Sequence, residues 1–132
     1  MNIRTLEPFT YHVGTTHQEV RTLVESCLFQ PDAAGTNDYL FSLWDYDTDA
    51  IVLDRQAGAI ADITTEVDPC TGISVWSFKL SYTFLVGDTS GMNGHYYYRW
   101  RLLNTPGIGL QRVYDIPGDK RMKIAFIGPV QV

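Results

Sequence analysis

The sequence predicts an all-β domain built as an antiparallel sandwich or barrel, and three observations carry that prediction. First, Ser74 to Phe84 alternates: Trp76, Phe78, Leu80, Tyr82 and Phe84 are large and apolar, whereas Ser77, Lys79, Ser81 and Thr83 are polar. A period of two over this length is a strand with one buried and one wet face, since a helix would scatter the five large residues around its circumference. Second, His95 to Leu103 repeats the pattern, with Tyr96, Tyr98, Trp100 and Leu102 on one face and Tyr97, Arg99, Arg101 and Leu103 on the other. Aromatic residues at this density suit a pleated surface. Third, short strand-like runs recur at intervals of roughly 8–12 residues, broken by turns that carry glycine and proline.

The elements follow in chain order. Residues 1–15 form an N-terminal arm or a first strand, 16–128 a single sandwich domain, and 129–132 a tail. Residues 17–28 are open between two readings. Thr16-x-x-Glu19 is a capping box, and Val20, Leu23, Val24, Cys27 and Leu28 follow at the spacing of a short amphipathic helix. Val20, Thr22, Val24, Ser26 and Leu28 serve equally well as one face of an opening strand. Tyr39 to Asp45 is a strand after the loop Pro31 to Asp38, and Ile51 to Leu53 is another after an aspartate-rich turn. Ala59 to Val67 alternates Ala61, Ile63, Thr65 and Val67 against Ile60, Asp62, Thr64 and Glu66, which makes a weaker strand. Asp68-Pro69-Cys70-Thr71-Gly72 places proline and glycine as a tight turn requires. Gly87 to Gly94 is a glycine-rich connection between the two aromatic strands. Leu110 to Ile116 and Met122 to Ile127 are strands flanking the Pro117-Gly118-Asp119 turn.

At 132 residues and 14.9 kDa the chain has the size of one domain. Area scaling buries about two thirds of the extended chain's surface, enough for a core without a metal or disulfide staple. Hydrophobic residues at 45% and charged residues at 19% exclude wholesale disorder. A net charge of −5 and a pI near 4.9 argue against a protein devoted to gripping nucleic acid, which needs a surplus of cations. No apolar run reaches the ~18–20 residues of a membrane span, and Met1 to Pro8 lacks the apolar core of a secretory signal. No membrane partner is expected, and Cys27 and Cys70 are expected to be small, buried, reduced residues.

Patterns that carry chemistry are sparse. Asp45-Tyr46-Asp47-Thr48-Asp49 has the D-x-D-x-D opening of a calcium loop. Ala50 and Gln56, however, stand where that loop needs glycine and glutamate, so the segment reads as an acidic, solvated hairpin turn. Gly87 to Gly94 lacks the Gly-Lys-Ser/Thr of a phosphate cradle. His12, His17 and His95 stand in no metal or protease spacing, and no serine sits in a G-x-S-x-G elbow. No catalytic residue, cofactor or metal is therefore expected. What remains is a pairing of aromatic and cationic side chains. Trp76, Phe78, Tyr96, Tyr98 and Trp100 read as the core between two sheets, with Tyr97, Arg99 and Arg101 on the solvated or partner-facing side. Tyrosine, tryptophan and arginine are enriched at interface hot spots, which makes Tyr97, Arg99 and Arg101 the candidate protein-contact residues. The alternative is a stacking platform for sugars, built from Trp76, Tyr97 or Trp100.

The strand Gly94-His95-Tyr96-Tyr97-Tyr98-Arg99-Trp100-Arg101-Leu102, preceded by Asp88-Thr89 and by Tyr39 to Asp45, resembles the immunoglobulin-like modules of tailed-phage virion proteins. Upper baseplate, head-decoration and fibre-anchoring proteins are among these. The likeness spans roughly residues 37–127 and consists of a strand pattern with one Gly-x-Tyr signature. It implies an immunoglobulin-like antiparallel β-sandwich that decorates, clamps or attaches without catalysis. The function expected on that basis is a structural part of a phage particle, assembled in the host cytoplasm and carried in the virion. Its partners would be copies of itself and other capsid or tail proteins, and a glycan under the alternative.

Overall fold

Two sheets face each other across a core of aromatic rings in the computed structural model, which describes residues 2–14, 18–27, 31, 37–104, 112–115 and 122–127. The strands are β1 (Asn2–Leu6), β2 (Thr10–His12), β3 (Gln18–Ser26), β4 (Asn37–Asp45), β5 (Ile51–Ala57), β6 (Ala59–Val67), β7 (Ser74–Phe84), β8 (Gly94–Asn104), β9 (Arg112–Asp115) and β10 (Lys123–Ile127). One sheet runs β1-β3-β7-β6; the other runs β2-β10-β8-β4-β5, with β9 also paired to β8. Neighbours are antiparallel except β2, which lies parallel to β10. The first sheet has the A-B-E-D order and the second the G-F-C order with an added strand beyond C, the arrangement of an immunoglobulin-like sandwich. Residues 2–6 and 10–12 are thus bonded into the chain's own two sheets. Residues 32–36, the 117–119 turn and the 129–132 tail lie outside the described residues.

Residues 18–26 are a strand, and the reading of 17–28 as a short helix is corrected. β3 pairs with β7 along its whole length and with β1 on its other side. Val20, Thr22, Val24 and Ser26 point into the core, whereas Leu23 is half-buried and Cys27 exposed. A helix of about three turns is marginal alone, so two flanking strands outweigh a capping box. The expectation of buried cysteines is also corrected. Cys27 follows the end of β3 and Cys70 lies in the turn after β6; both are free and exposed. In β6 the strict alternation breaks at a bulge between Ala61 and Thr64, where Asp62 takes a φ of 54°. Ile60 and Ile63, rather than Ala61 and Ile63, consequently pack against the core.

Phe41 is the centre of the core. It stacks on Tyr82 at 4.5 Å and meets Phe84, Tyr98 and Trp100 at 5.3–5.9 Å, so rings from both sheets interlock. Antibody domains join strands B and F by a disulfide across this space. Here the corresponding β3 and β8 are joined by hydrogen bonds. Trp100 Nε1 donates to Thr22 Oγ1 at 3.0 Å, and Tyr98 Oη lies 2.9 Å from Thr22 Oγ1 and 2.6 Å from Thr5 Oγ1. Thr22, Tyr98 and Trp100 are fully buried. A tyrosine corner precedes this group: the Asn93 N–H donates to Tyr96 Oη at 3.1 Å, fixing the entry of β8. Gly58 marks the crossing from β5 to β6. A Cβ there would lie 2.5 Å from Trp100 Cη2 and 3.0 Å from the Ser81 carbonyl oxygen, so only glycine fits.

Candidate functional site

The outward face of β8 carries Tyr97, Arg99 and Arg101, because Tyr96, Tyr98, Trp100 and Leu102 are committed to the core. Pairing then decides what stands beside them. Trp44 opposes Tyr97, Ser42 opposes Arg99, and Leu40 opposes Arg101. Lys123 of β10 opposes Tyr97 from the other side, and Ile51 of β5 opposes Trp44. The resulting row is held by ring contacts. Trp44 and Tyr97 stack at 5.5 Å with planes 13° apart, the Arg99 guanidinium lies 5.6 Å over the Trp44 ring, and Lys123 Nζ lies 4.6 Å over Tyr46. Stacking leaves Tyr97 only 8% exposed, although it lies on the outer face.

The edge strand β5 gives this face its relief. Between the pairs Phe41–Gln56 and Leu43–Leu53, one residue of β4, Ser42, is opposed by two of β5, Asp54 and Arg55. The bulge turns both of them outward. Arg55 adopts a φ of 50°, a left-handed conformation that strains an L residue, and its N–H donates to Ser42 Oγ at 3.0 Å. A second shift beside Leu43 brings Ile51 opposite Trp44. Between the bulge and β8 lies a recess of about 310 Å³, floored by Ser42 and Trp44 and walled by Asp54, Arg55, Arg99 and Arg101.

The acidic turn after β4 borders this face. Asp45 Oδ1 accepts the N–H groups of Asp47 at 2.9 Å and Thr48 at 3.0 Å, and those backbone donors hold its carboxyl below the ordinary range. Asp49, at a φ of 59°, accepts the Tyr97 hydroxyl at 2.9 Å. These two carboxylates therefore hold the turn's backbone and tie it to β8.

Of the residues singled out from sequence, Tyr97, Arg99 and Arg101 share one face. Of the residues weighed as a sugar-stacking platform, Trp100 is fully buried, Tyr97 lies on the outer face, and Trp76 sits half-buried on the opposite sheet. Sequence reasoning missed Ser42, Trp44, Ile51, Arg55 and Lys123. Trp44 carried a signal, since Leu40, Ser42 and Trp44 alternate with the core residues Tyr39, Phe41 and Leu43. Arg55 carried none, because a bulge leaves no mark in the alternation of a short edge strand. No protein-family model matches the chain, and no curated protein matches it.

Proposed function

We propose that the chain is a non-enzymatic structural component of a tailed-phage particle. It would serve as a head-decoration or tail and baseplate attachment module that works through protein–protein contacts. The observation that carries this reading is the outer face of the six-stranded sheet, where Trp44, Tyr97, Arg99 and Arg101 stand together on neighbouring strands. These are the residue types that dominate interface energetics, and their stacking fixes the rings before any partner arrives. Less side-chain entropy is then lost on contact. The resemblance of the 94–102 strand to virion modules supplies the particle. A rigid face suits it better than a donated arm, since β1 and β2 already occupy the chain's own sheets. Bulges in β5 and β6, the outer strands at one side of each sheet, also interrupt the backbone that strand addition would need. Glycan stacking has less support, because Trp44 and Tyr97 cover each other's rings.

The test is a mass-spectrometric inventory of purified particles made from the phage genome that encodes the chain, run for wild type, Trp44→Ala and the double variant Arg99→Glu/Arg101→Glu. Wild type is expected at a fixed copy number per particle, with both folded variants depleted by about tenfold or more, as loss of a hot spot implies. Particles that lack the wild-type chain refute the virion reading. Equal incorporation of all three refutes the assignment of the face.

A further inference from the structure

We infer that the free edge of β1 pairs with the same edge of a second copy of the chain. The two β1 strands run antiparallel about a two-fold axis at Ile3 and join two four-stranded sheets into one. Unpaired strand edges invite such pairing, and folded proteins usually blunt them. Of the four strands at the ends of the two sheet orders, three are blunted. β5 is broken by the bulge at Asp54 and Arg55. β6 is cut by its bulge into runs of three and four paired residues, and its charges, Asp62 and Glu66, are both acidic. β2 has only three residues, and the side-chain amide of Gln18 covers its edge. The His12 N–H donates to Gln18 Oε1 at 2.7 Å, and Gln18 Nε2 donates to the His12 carbonyl at 2.5 Å. β1 carries none of these devices. Its five residues pair with β3 in unbroken register, without proline, glycine or a positive φ. Among the described residues no backbone hydrogen bond reaches its other side.

The side chains select a second copy and one register. Ile3 packs against the core and Thr5 bonds to Tyr98, so Arg4 between them points outward beside Leu23. Opposed residues must share a face, which leaves pairings centred on Ile3, Arg4 or Thr5. Centring on Arg4 sets two like charges against each other. Centring on Thr5 carries the pairing onto Glu7, whose carbonyl already accepts the Arg21 guanidinium at 2.6 Å and which precedes a proline. Centring on Ile3 does neither. It sets two half-buried Ile3 side chains against each other and brings Arg4 of the second copy opposite Asn2, which is paired with Glu25 within the chain. Two strand spacings, about 10 Å, then separate that Arg4 backbone from Glu25, a gap that an arginine and a glutamate span together. Arg4 and Glu25 line a recess of about 340 Å³ with Ile3 and Leu23, and among the described residues neither has an ion pair within the chain. Symmetry makes the Arg4–Glu25 contact twice.

Sedimentation equilibrium of the full chain is expected to show a dimer that grows with concentration. Arg4→Glu and Glu25→Arg are each expected to weaken it by about tenfold, since each puts two like-charged pairs in place of two opposite ones. The double variant Arg4→Glu/Glu25→Arg is expected to restore it. Trp44→Ala, on the other sheet, is expected to leave it unchanged. Covalent trapping reads the register independently. In a Cys27→Ser/Cys70→Ser chain, Ile3→Cys is expected to form an interchain disulfide under mild oxidation faster than Arg4→Cys, although Arg4 is the more exposed position. A chain that stays monomeric overturns the inference, as does a dimer indifferent to both charge reversals. Loss of the dimer in Trp44→Ala moves self-association to the outer face and overturns it too. Faster cross-linking through Arg4→Cys or Thr5→Cys overturns the register and with it the Arg4–Glu25 contact.

Discussion

Replacing Thr22 with valine tests the hydrogen-bonded tie between the sheets. Valine has nearly the shape of threonine, is more apolar, and is at least as good in a strand. Area burial and β-propensity therefore both predict that Thr22→Val is neutral or stabilising. The hydrogen bonds predict the opposite. Thr22 Oγ1 accepts the Trp100 indole N–H, and both groups are fully buried. Without the hydroxyl that donor has no acceptor, at a cost of about 1–3 kcal/mol. Tyr98 also loses one of its two hydroxyl partners but retains Thr5. We expect Thr22→Val to lower stability by about 2 kcal/mol, and Tyr98→Phe by about 1 kcal/mol because Trp100 then keeps its acceptor. The double variant should fall short of the sum by about 1 kcal/mol, since the Thr22–Tyr98 bond is lost in both single variants. Thr22→Ser keeps the hydroxyl and is expected to be more stable than Thr22→Val, although it buries one methyl fewer. Equilibrium urea unfolding followed by tryptophan fluorescence measures all four variants. Valine equal to or more stable than threonine, or strict additivity of the two single variants, would refute the reasoning.

Other consequences can be checked on the same protein. Gly58→Ala places a methyl against the buried Trp100 ring and is expected to cost about 1–3 kcal/mol in urea unfolding. Burial pushes the Tyr98 and Tyr11 phenols above their ordinary range near 10. In the window above pH ~10 the unfolded chain releases these protons while the folded chain keeps them, so stability holds below that pH and falls as pH rises through it. The slope is up to about 1.4 kcal/mol per pH unit for each tyrosine, and Tyr98→Phe should make it shallower. Cys27 and Cys70 are expected to react with a thiol reagent in the native state, and their replacement by serine to change stability by less than about 0.5 kcal/mol.

How far the fold could be read from sequence follows from where each strand's pattern originates. β7 and the middle of β8 lie in the interiors of their sheets, with one face on the core, so burial writes a clean period of two into their side chains. β3 is central too, yet Val20 and Val24 also satisfy a helical spacing, and only the presence of β1 and β7 on its flanks decides the matter. β5 and β6 are outer strands, mostly exposed, and each contains a bulge. There the alternation shifts phase at Arg55 and Asp62, two non-glycine residues at positive φ; aspartate tolerates that region, whereas nothing in the sequence marks it at Arg55.

The site was less legible for a related reason. Sequence lists residues along a strand, whereas this face is organised across strands. Lys123, Tyr97, Trp44 and Ile51 form one row drawn from four strands, and nothing local to any one of them announces the others. The arginines of β8 were visible because they alternate with core aromatics. What they face was not, since that depends on the register of β4 and on where β5 accommodates its extra residue. The bulge matters most here. In an uninterrupted strand one residue would oppose Ser42, and Asp54 and Arg55 would point to opposite faces. Inserting one residue places both in the lining of the recess, so the charge character of the face is set by backbone irregularity as much as by composition. The net charge of −5 is thus an average over a surface on which four of the 15 acidic residues lie between Asp45 and Asp54, beside the arginines of β8. A partner would sense this local juxtaposition of charge rather than the average.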